Sequence, residues 1–178
     1  VYFFCFLIQA QPVFRDMNGK IRFTSVKSMN MLEGYSDNMM TRFSPETRKL
    51  AFKVQVTSFN FTNCSRAVEK AFNEVYMESH KFHWAKFEGI LLDTIDFYKE
   101  GAYEVKVSGL LDIHGVARER EIPGKIIVKS GGEIEFISTF DVLLSQHNLS
   151  VLKEDTERLS ETIVVYINST LKIAKPSN

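Results

Sequence analysis

Six stretches of the chain alternate apolar and polar residues with a period of two, and this pattern limits the fold more than any other feature. The stretches are residues 20–25, 50–59, 102–113, 123–130, 133–140 and 162–173. Such alternation predicts β-strands that bury one face and expose the other. Short turn signals, among them His114-Gly115 and Gly131-Gly132, separate the stretches. Successive strands are therefore expected to be antiparallel neighbours.

Residues 65–77 depart from this pattern. Ala67, Val68, Ala71, Phe72 and Val75 recur there at helical spacing, and Ser65 precedes them as an expected N-cap. We predict one amphipathic helix in this segment. Residues 143–160 keep neither period for long, which indicates a second short helix or an irregular loop.

The strand count favours a mainly β architecture in a single domain. A chain of 178 residues, 44% of them hydrophobic, can bury one sizeable core. Closing about eight strands into a barrel removes the edges that such apolar strands would otherwise expose. We therefore favour an antiparallel up-and-down eight-stranded β-barrel with one helix over a two-sheet sandwich.

The first ten residues differ in character from the rest. Residues 1–8 are all apolar, Ala10 is small, and charge first appears after it. This pattern is typical of the end of a secretory signal peptide, here truncated, so we expect cleavage after Ala10 and a mature domain of residues 11–178 in the periplasm or secreted. A buried first strand is the alternative. The apolar run is much shorter than the roughly 20 residues of a membrane-spanning helix, so an integral membrane protein is not expected.

The charge balance argues against a nucleic-acid partner. Twenty-two Lys and Arg residues match 22 Asp and Glu residues, and no segment forms the basic patch that phosphate backbones require. A neutral or apolar partner is favoured.

No residue pattern predicts catalytic chemistry. His80 and His83 could face one side of a helical turn, but zinc needs three or four ligands and no third candidate is near. Cys64 would be the only thiol of the mature chain, and neither a G-x-S-x-G elbow nor a glycine-rich phosphate loop is present. We expect no metal, no cofactor and no enzymatic activity.

Two segments carry a resemblance to a known family. The segment Val107–Glu119, VSGLLDIHGVARE, resembles the G-x-L-x-I-H-G-V-x-[KR] signature of the YceI-like family, and Pro123 follows it as in that family. Phe72–Gly89 is similar to the second signature, in which F-x-E-x-Y-x-x-S leads through K-[YF]-P to A-x-F-x-G. His83 stands where that signature usually has proline, and Ala117 where threonine is common. The resemblance spans nearly the whole predicted mature chain.

The resemblance implies a lipocalin-like barrel, usually periplasmic, whose interior holds a long apolar molecule such as a polyisoprenoid or a fatty-acid derivative. The residues expected to point inward and bind this ligand are Phe23, Phe52, Val54, Phe87, Tyr103, Val105, Val107, Phe136 and Leu171. Gly109 is expected to leave room for it. The alternative is that these side chains simply fill the barrel.

His114 lies beside Gly115 at the end of an alternating stretch. We interpret it as the corner of a hairpin, where the imidazole satisfies turn groups, rather than as a general base or a metal ligand.

The leading functional hypothesis is an exported carrier of an amphiphilic lipid. A cryptic metal-assisted enzyme and a barrel that contacts other proteins through its surface are the alternatives. The sequence leaves a homodimer open.

Overall fold

The computed structural model of the protein describes residues 12–27, 30–62, 64–156 and 159–174. The strands in these ranges are β1 (Phe14–Lys27), β2 (Asn30–Ser44), β3 (Lys49–Gln55), β4 (Asn60–Phe61), β5 (Trp84–Leu91), β6 (Gly101–Ile113), β7 (Val116–Val128), β8 (Ile134–Leu143) and β9 (Thr162–Ile173). Helix α1 spans Arg66–Ala71 and continues into a π-helical turn, Phe72–Tyr76. The predicted signal peptide lies outside the described residues.

Eight of the strands close into a barrel. They follow the order β1-β2-β3-β5-β6-β7-β8-β9, every pairing is antiparallel, and β9 pairs with β1. The two-residue strand β4 pairs only with β2, outside this cycle. The prediction of an eight-stranded up-and-down barrel with one helix is confirmed.

Strand β2 had no clear periodic signal in the sequence. Its buried positions include Gly34, Ser36 and Thr41, which are small or polar, as well as the apolar Phe43. Its ladder with β1 also shifts register between Asp16 and Ile21. Because the inward face is neither uniformly apolar nor strictly alternating, a hydrophobic pattern could not reveal this strand.

The helical segment begins at the predicted N-cap residue, but it changes from α-helical to π-helical geometry part-way. Ser65 is the N-cap residue, although its side chain makes no capping bond. From Phe72 the helix widens, and the Met77 amide bonds the Phe72 carbonyl at 2.8 Å. The Phe72 ring packs among Phe23, Phe59 and Phe61 at centroid distances of 4.9–5.9 Å, which holds the helix over one end of the barrel. The described residues between 143 and 160 include two 3₁₀ turns, Leu144–His147 and Lys153–Asp155.

The barrel interior has two unlike halves. The half away from the helix, called here the packed half, is filled by side chains that are all buried: Phe14, Met39, Phe43, Leu50, Phe87, Leu91, Val105, Val107, Ile122, Ile126, Val128, Ile134, Phe136, Ile167 and Leu171. Phe97 lies over Phe43 at a ring distance of 5.0 Å and helps to cover this end. The half beneath helix α1, called the hollow half, is not filled.

Gly109 does not create interior space, contrary to the expectation above. It pairs directly with Gly89 across β5 and β6. A Cβ at Gly109 would lie 2.2 Å from the Glu88 carbonyl oxygen and 2.4 Å from the Gly89 Cα. The glycine pair therefore allows two backbones to approach closely in the barrel wall.

Candidate functional site

The hollow half contains a cavity of about 580 Å³. Its wall combines inward side chains from the strands, one side of the helix and the loop between β8 and β9: Ile21, Phe23, Leu32, Phe52, Val54, Phe59, Val68, Ala71, Phe72, Met77, Ala85, Leu111, Ile113, Phe140, Val142, Leu144, Leu149, Leu159, Ile163 and Val165. The volume is within the range of sites for small organic ligands. A predominantly apolar wall suits an apolar ligand.

The floor of the cavity is formed by the paired rings of Phe52 and Phe87. The two residues are opposite each other in the β3–β5 ladder, and their rings stack with centroids 5.1 Å apart. Phe52 lines the cavity, whereas Phe87 is fully buried beneath it and does not. This stacked pair marks the boundary between the two halves.

The structure divides the nine predicted ligand-binding residues into two groups. Phe23, Phe52 and Val54 line the cavity. The other six residues do not line it; five of them are buried in the packed half, namely Phe87, Val105, Val107, Phe136 and Leu171. Tyr103, the sixth, is only half-buried, and its hydroxyl donates a 3.1 Å hydrogen bond to the Lys99 carbonyl. Eight of the nine came from period-two alternation, and Phe87 came from the A-x-F-x-G segment of the resemblance. Such patterns identify inward positions but not the height of the cavity floor.

A few polar groups interrupt the apolar wall. Tyr76, at the end of the π-helical turn, donates a hydrogen bond to Asp155 of the β8–β9 loop. Lys86 forms an ion pair with Asp112 at 3.4 Å, and Cys64 and Ser65 stand just before helix α1. The loop residues, together with Leu149 and Leu159, were not singled out from the sequence because residues 143–160 have no periodic pattern.

His114 occupies the corner of the β6–β7 hairpin, as predicted. His114 and Gly115 form the two-residue connection with φ of 54° and 71°, the left-handed pair that a type I′ turn requires. The imidazole does not bond the turn backbone. Its Nε2 atom lies 3.1 Å from the Glu78 carboxylate, and Phe82 packs edge-on against the ring at 4.3 Å.

The remaining histidines do not come together. The His83 Nδ1 atom is 2.7 Å from the Ser79 carbonyl oxygen, and His80 is exposed. His147 is fully buried in the Leu144–His147 turn and donates from Nδ1 to the Val116 carbonyl at 2.9 Å. No cluster of three or more His, Cys, Asp or Glu side chains suited to a metal occurs among the described residues.

Burial lowers the pKa of His147, the bond to the Val116 carbonyl opposes this, and the charges of Arg120 and Arg118 lower it further. The lowered pKa favours the neutral imidazole. Its Nε2 atom is buried and has no hydrogen-bond partner among the described residues.

No helix in the described part of the chain is long and apolar enough to span a bilayer. A family model described as the YceI-like domain matches residues 13–171, which includes every strand of the barrel except its last two residues. The chain belongs to the YceI-like family.

Solved structures share the fold of this YceI-like domain at low sequence identity. A polyisoprenoid-binding domain from Saccharophagus degradans implicated in plant cell wall breakdown is 14% identical, with a TM-score of 0.75 over 93% of this chain and 100% of that one. BcnA of Burkholderia cenocepacia is 15% identical, with a TM-score of 0.69 over 86% and 96%. The Campylobacter jejuni YCEI protein is 17% identical, with a TM-score of 0.56 over 98% and 92%. A search of curated proteins gave no significant match.

Proposed function

We propose that this YceI-like domain is a binding protein that holds a long apolar or amphiphilic lipid in the hollow half of its barrel. The observation that carries the proposal is the cavity of about 580 Å³ with a predominantly apolar wall, in a barrel whose other half is solid. The similar domain from Saccharophagus degradans is described as polyisoprenoid-binding, which supports the same class of ligand.

The size of the cavity sets the length of the ligand. At roughly 30 Å³ for each water-sized group, it has room for about twenty such groups, which corresponds to a chain of about fifteen to twenty carbons. Each buried methylene contributes about 0.8 kcal/mol, so such a chain binds tightly without charged contacts. Phe23, Phe52 and Val54 are proposed to contact it directly.

The six other predicted residues have a supporting role in this proposal. Phe87 fixes Phe52 from below, and Val105, Val107, Phe136 and Leu171 keep the packed half solid. Tyr103 fixes the connection before β6 through its bond to Lys99. The bound chain therefore ends at the Phe52 ring rather than running through the barrel.

The polar groups of the wall are proposed to orient the ligand rather than to react with it. The acidic and basic side chains there are already engaged, Asp155 by Tyr76 and Lys86 by Asp112. A polar head near Ser65 and Asp155 would stay close to water. We also propose that the protein works after export, in the periplasm or outside the cell, which the apolar run of residues 1–8 supports.

Filling the cavity tests the proposal. Ala71 faces the cavity from helix α1, whereas Ala102 is exposed on β6 and does not line the cavity. Ala71→Phe places a ring inside the cavity, and Ala102→Phe makes the same change outside it. Organic extraction and mass spectrometry should recover lipid from the wild type and from Ala102→Phe, and much less from Ala71→Phe, with all three chains equally folded by circular dichroism.

A wild-type protein that yields no lipid after purification and takes up no linear fatty acid or isoprenoid alcohol from solution would contradict the proposal. Equal lipid content in Ala71→Phe and Ala102→Phe would place any bound lipid outside the cavity.

A further inference from the structure

The barrel wall has a gap between β7 and β8. Although β7 and β8 are both long, only four residue pairs join them, from Lys125 with Ile137 to Val128 with Ile134. By contrast, β8 pairs with β9 along its whole length, and β7 with β6 along its whole length. Beyond Lys125 no further residue pair joins the described parts of the two strands, on the side of the barrel that contains the cavity.

Pro123 explains where the ladder stops. Lys106, its partner on β6, directs its carbonyl to the Leu92 amide and its own amide to Asp93, which are both on the β5 side. Lys106 and Pro123 are therefore a non-hydrogen-bonded pair, and the backbone polar groups of Pro123 point to β8. The Pro123 carbonyl accepts a 2.6 Å bond from the Ser138 hydroxyl, but proline has no N–H to donate.

Beyond Pro123, repulsion between like charges opposes further pairing of β7 with β8. If the register of the four pairs continued, Glu121 would stand directly opposite Asp141. Two like charges at facing positions destabilise an antiparallel pair. The missing donor and the facing carboxylates together keep this part of the wall open.

A groove of about 490 Å³ occupies the gap on the outer side, lined by Glu119, Arg120, Glu121, Asp141, Leu143, Gln146 and Thr162. The cavity lies on the inner side of the same strand end, where Val142 and Leu144 belong to its wall. Leu143 lines the groove and its two sequence neighbours line the cavity, so the two spaces lie on opposite faces of the same strand end.

Among the described residues, the hydrogen bonds that bridge the gap above Pro123 run from side chains to backbone carbonyls. Arg118 Nε donates to the Gln146 carbonyl at 2.9 Å, and His147 Nδ1 donates to the Val116 carbonyl at 2.9 Å. Both bonds attach the Leu144–His147 turn to β7. Leu144 and His147 are themselves buried, but two side-chain bonds separate more readily than a strand ladder, so we expect this turn to be the part of the wall that opens.

We infer that the gap between β7 and β8 is the portal through which the lipid passes between solvent and cavity, and that the Leu144–His147 turn is its gate. This inference rests on the proposed function. It assigns the ligand a lateral route between strands instead of one beneath helix α1.

A gate alters rates without altering affinity, because the free energy of binding does not depend on the route. Pro123→Thr combined with Asp141→Lys restores the missing donor and sets a lysine opposite Glu121, which closes the gap. Arg118→Ala removes one of the two bonds that hold the turn, which loosens it. Asp37→Lys makes the same charge change as Asp141→Lys at an exposed position on β2 and serves as the control.

Stopped-flow fluorescence with trans-parinaric acid measures uptake and release, and equilibrium titration with the same probe measures Kd. Hydrogen exchange of the Glu119 and Glu121 amides verifies closure, since slower exchange there shows that the ladder has extended. We expect both rates to fall several-fold in the closed variant and to rise in Arg118→Ala, with Kd and the Asp37→Lys rates unchanged.

Unchanged rates in a variant whose closure is verified by hydrogen exchange would overturn the portal while leaving the proposed function intact. The portal would also be overturned if Glu78→Gln, which releases the segment after the helix, raised both rates and Arg118→Ala did not. A wild-type protein that binds no probe would overturn both proposals.

Discussion

His114 and Glu78, 36 residues apart in the sequence, are joined by a 3.1 Å contact between Nε2 and the carboxylate. Both residues have a left-handed backbone, with φ of 54° and 40°. The contact connects the β6–β7 hairpin to the segment that follows the helix. Because Lys81 also bonds the same carboxylate, the pKa of Glu78 is lowered first by Lys81 and then, against the opposing effect of burial, by His114.

We predict that His114→Asn lowers the free energy of unfolding by about 1 to 3 kcal/mol. Asparagine tolerates the left-handed backbone but is too short to reach Glu78 or to pack on Phe82. Arg48→Asn is the matched control, because Arg48 has a similar φ of 55° and is exposed. Urea denaturation measures both variants. If His114→Asn leaves the free energy of unfolding unchanged, the turn alone fixes the conformation of this residue.

Aspartate substitutions should distinguish the two halves of the barrel. Val68→Asp puts a charge on the helix side of the cavity, where the side chain is half-buried, so it should abolish lipid binding while the protein still folds. Val107→Asp puts the charge into the packed half, where Val107 is fully buried, and an unpaired charge there should prevent folding. Outward Gln55→Ala should change neither property.

Co-purified lipid and circular dichroism check these three variants. A folded Val107→Asp protein that has lost its lipid would instead show that the ligand extends below the Phe52–Phe87 floor. In that case the packed half would belong to the binding site.

Gly109→Ala should destabilise the protein by about 1 to 3 kcal/mol, the usual cost of overpacking. Its Cβ would meet backbone atoms at 2.2–2.4 Å, and backbone in a barrel wall cannot move aside as a side chain can. Gly101→Ala on the same strand is the control, since its Cβ would meet nothing closer than 3.4 Å. The midpoint temperature of thermal unfolding should therefore fall in Gly109→Ala. In Gly101→Ala it should stay unchanged or rise.

The free energy of unfolding should decrease as the pH falls below about 6.5, the ordinary pKa of histidine. His147 has a lowered pKa in the folded protein, so the unfolded chain takes up its proton first. The loss then continues until the pH reaches the folded-state pKa of His147. Arg118, Arg120 and Asp112 are the charged groups around it.

Unfolding by urea at a series of pH values checks this expectation. In His147→Gln, whose amide can still donate to the Val116 carbonyl, the decrease between neutral and mildly acidic pH should be smaller than in the wild type. An identical pH profile for the two proteins would assign the decrease to other groups.

The sequence predicted the barrel because alternation is a local property that each strand displays by itself. Phe52 and Phe136 both follow this rule, yet one lines the cavity and the other lies in solid packing. Their difference depends on height along the barrel axis, which is set by the register between strands. The wall contributed by Leu149 and Leu159 was missed for another reason, since an irregular loop has no period to read.

The sequence contains Pro123 and the nearby acidic residues, but their effect on strand pairing depends on which neighbouring strand the backbone groups face. That information exists only in the β6–β7 register. In the same way, the partner of His114 could not be found from the hairpin motif, because Glu78 reaches it from the segment after the helix.

The Phe52–Phe87 stack has an evolutionary consequence. Under the proposed function the ligand contacts residues above this pair, whereas the residues below it are buried scaffold, so cavity residues can be exchanged while the packed half is retained. A smaller residue at position 52 or 87 would deepen the cavity and admit a longer chain, and a larger residue at Ala71 or Ala85 would shorten it. Under that proposal, single substitutions can change ligand length in such a barrel without changing its architecture.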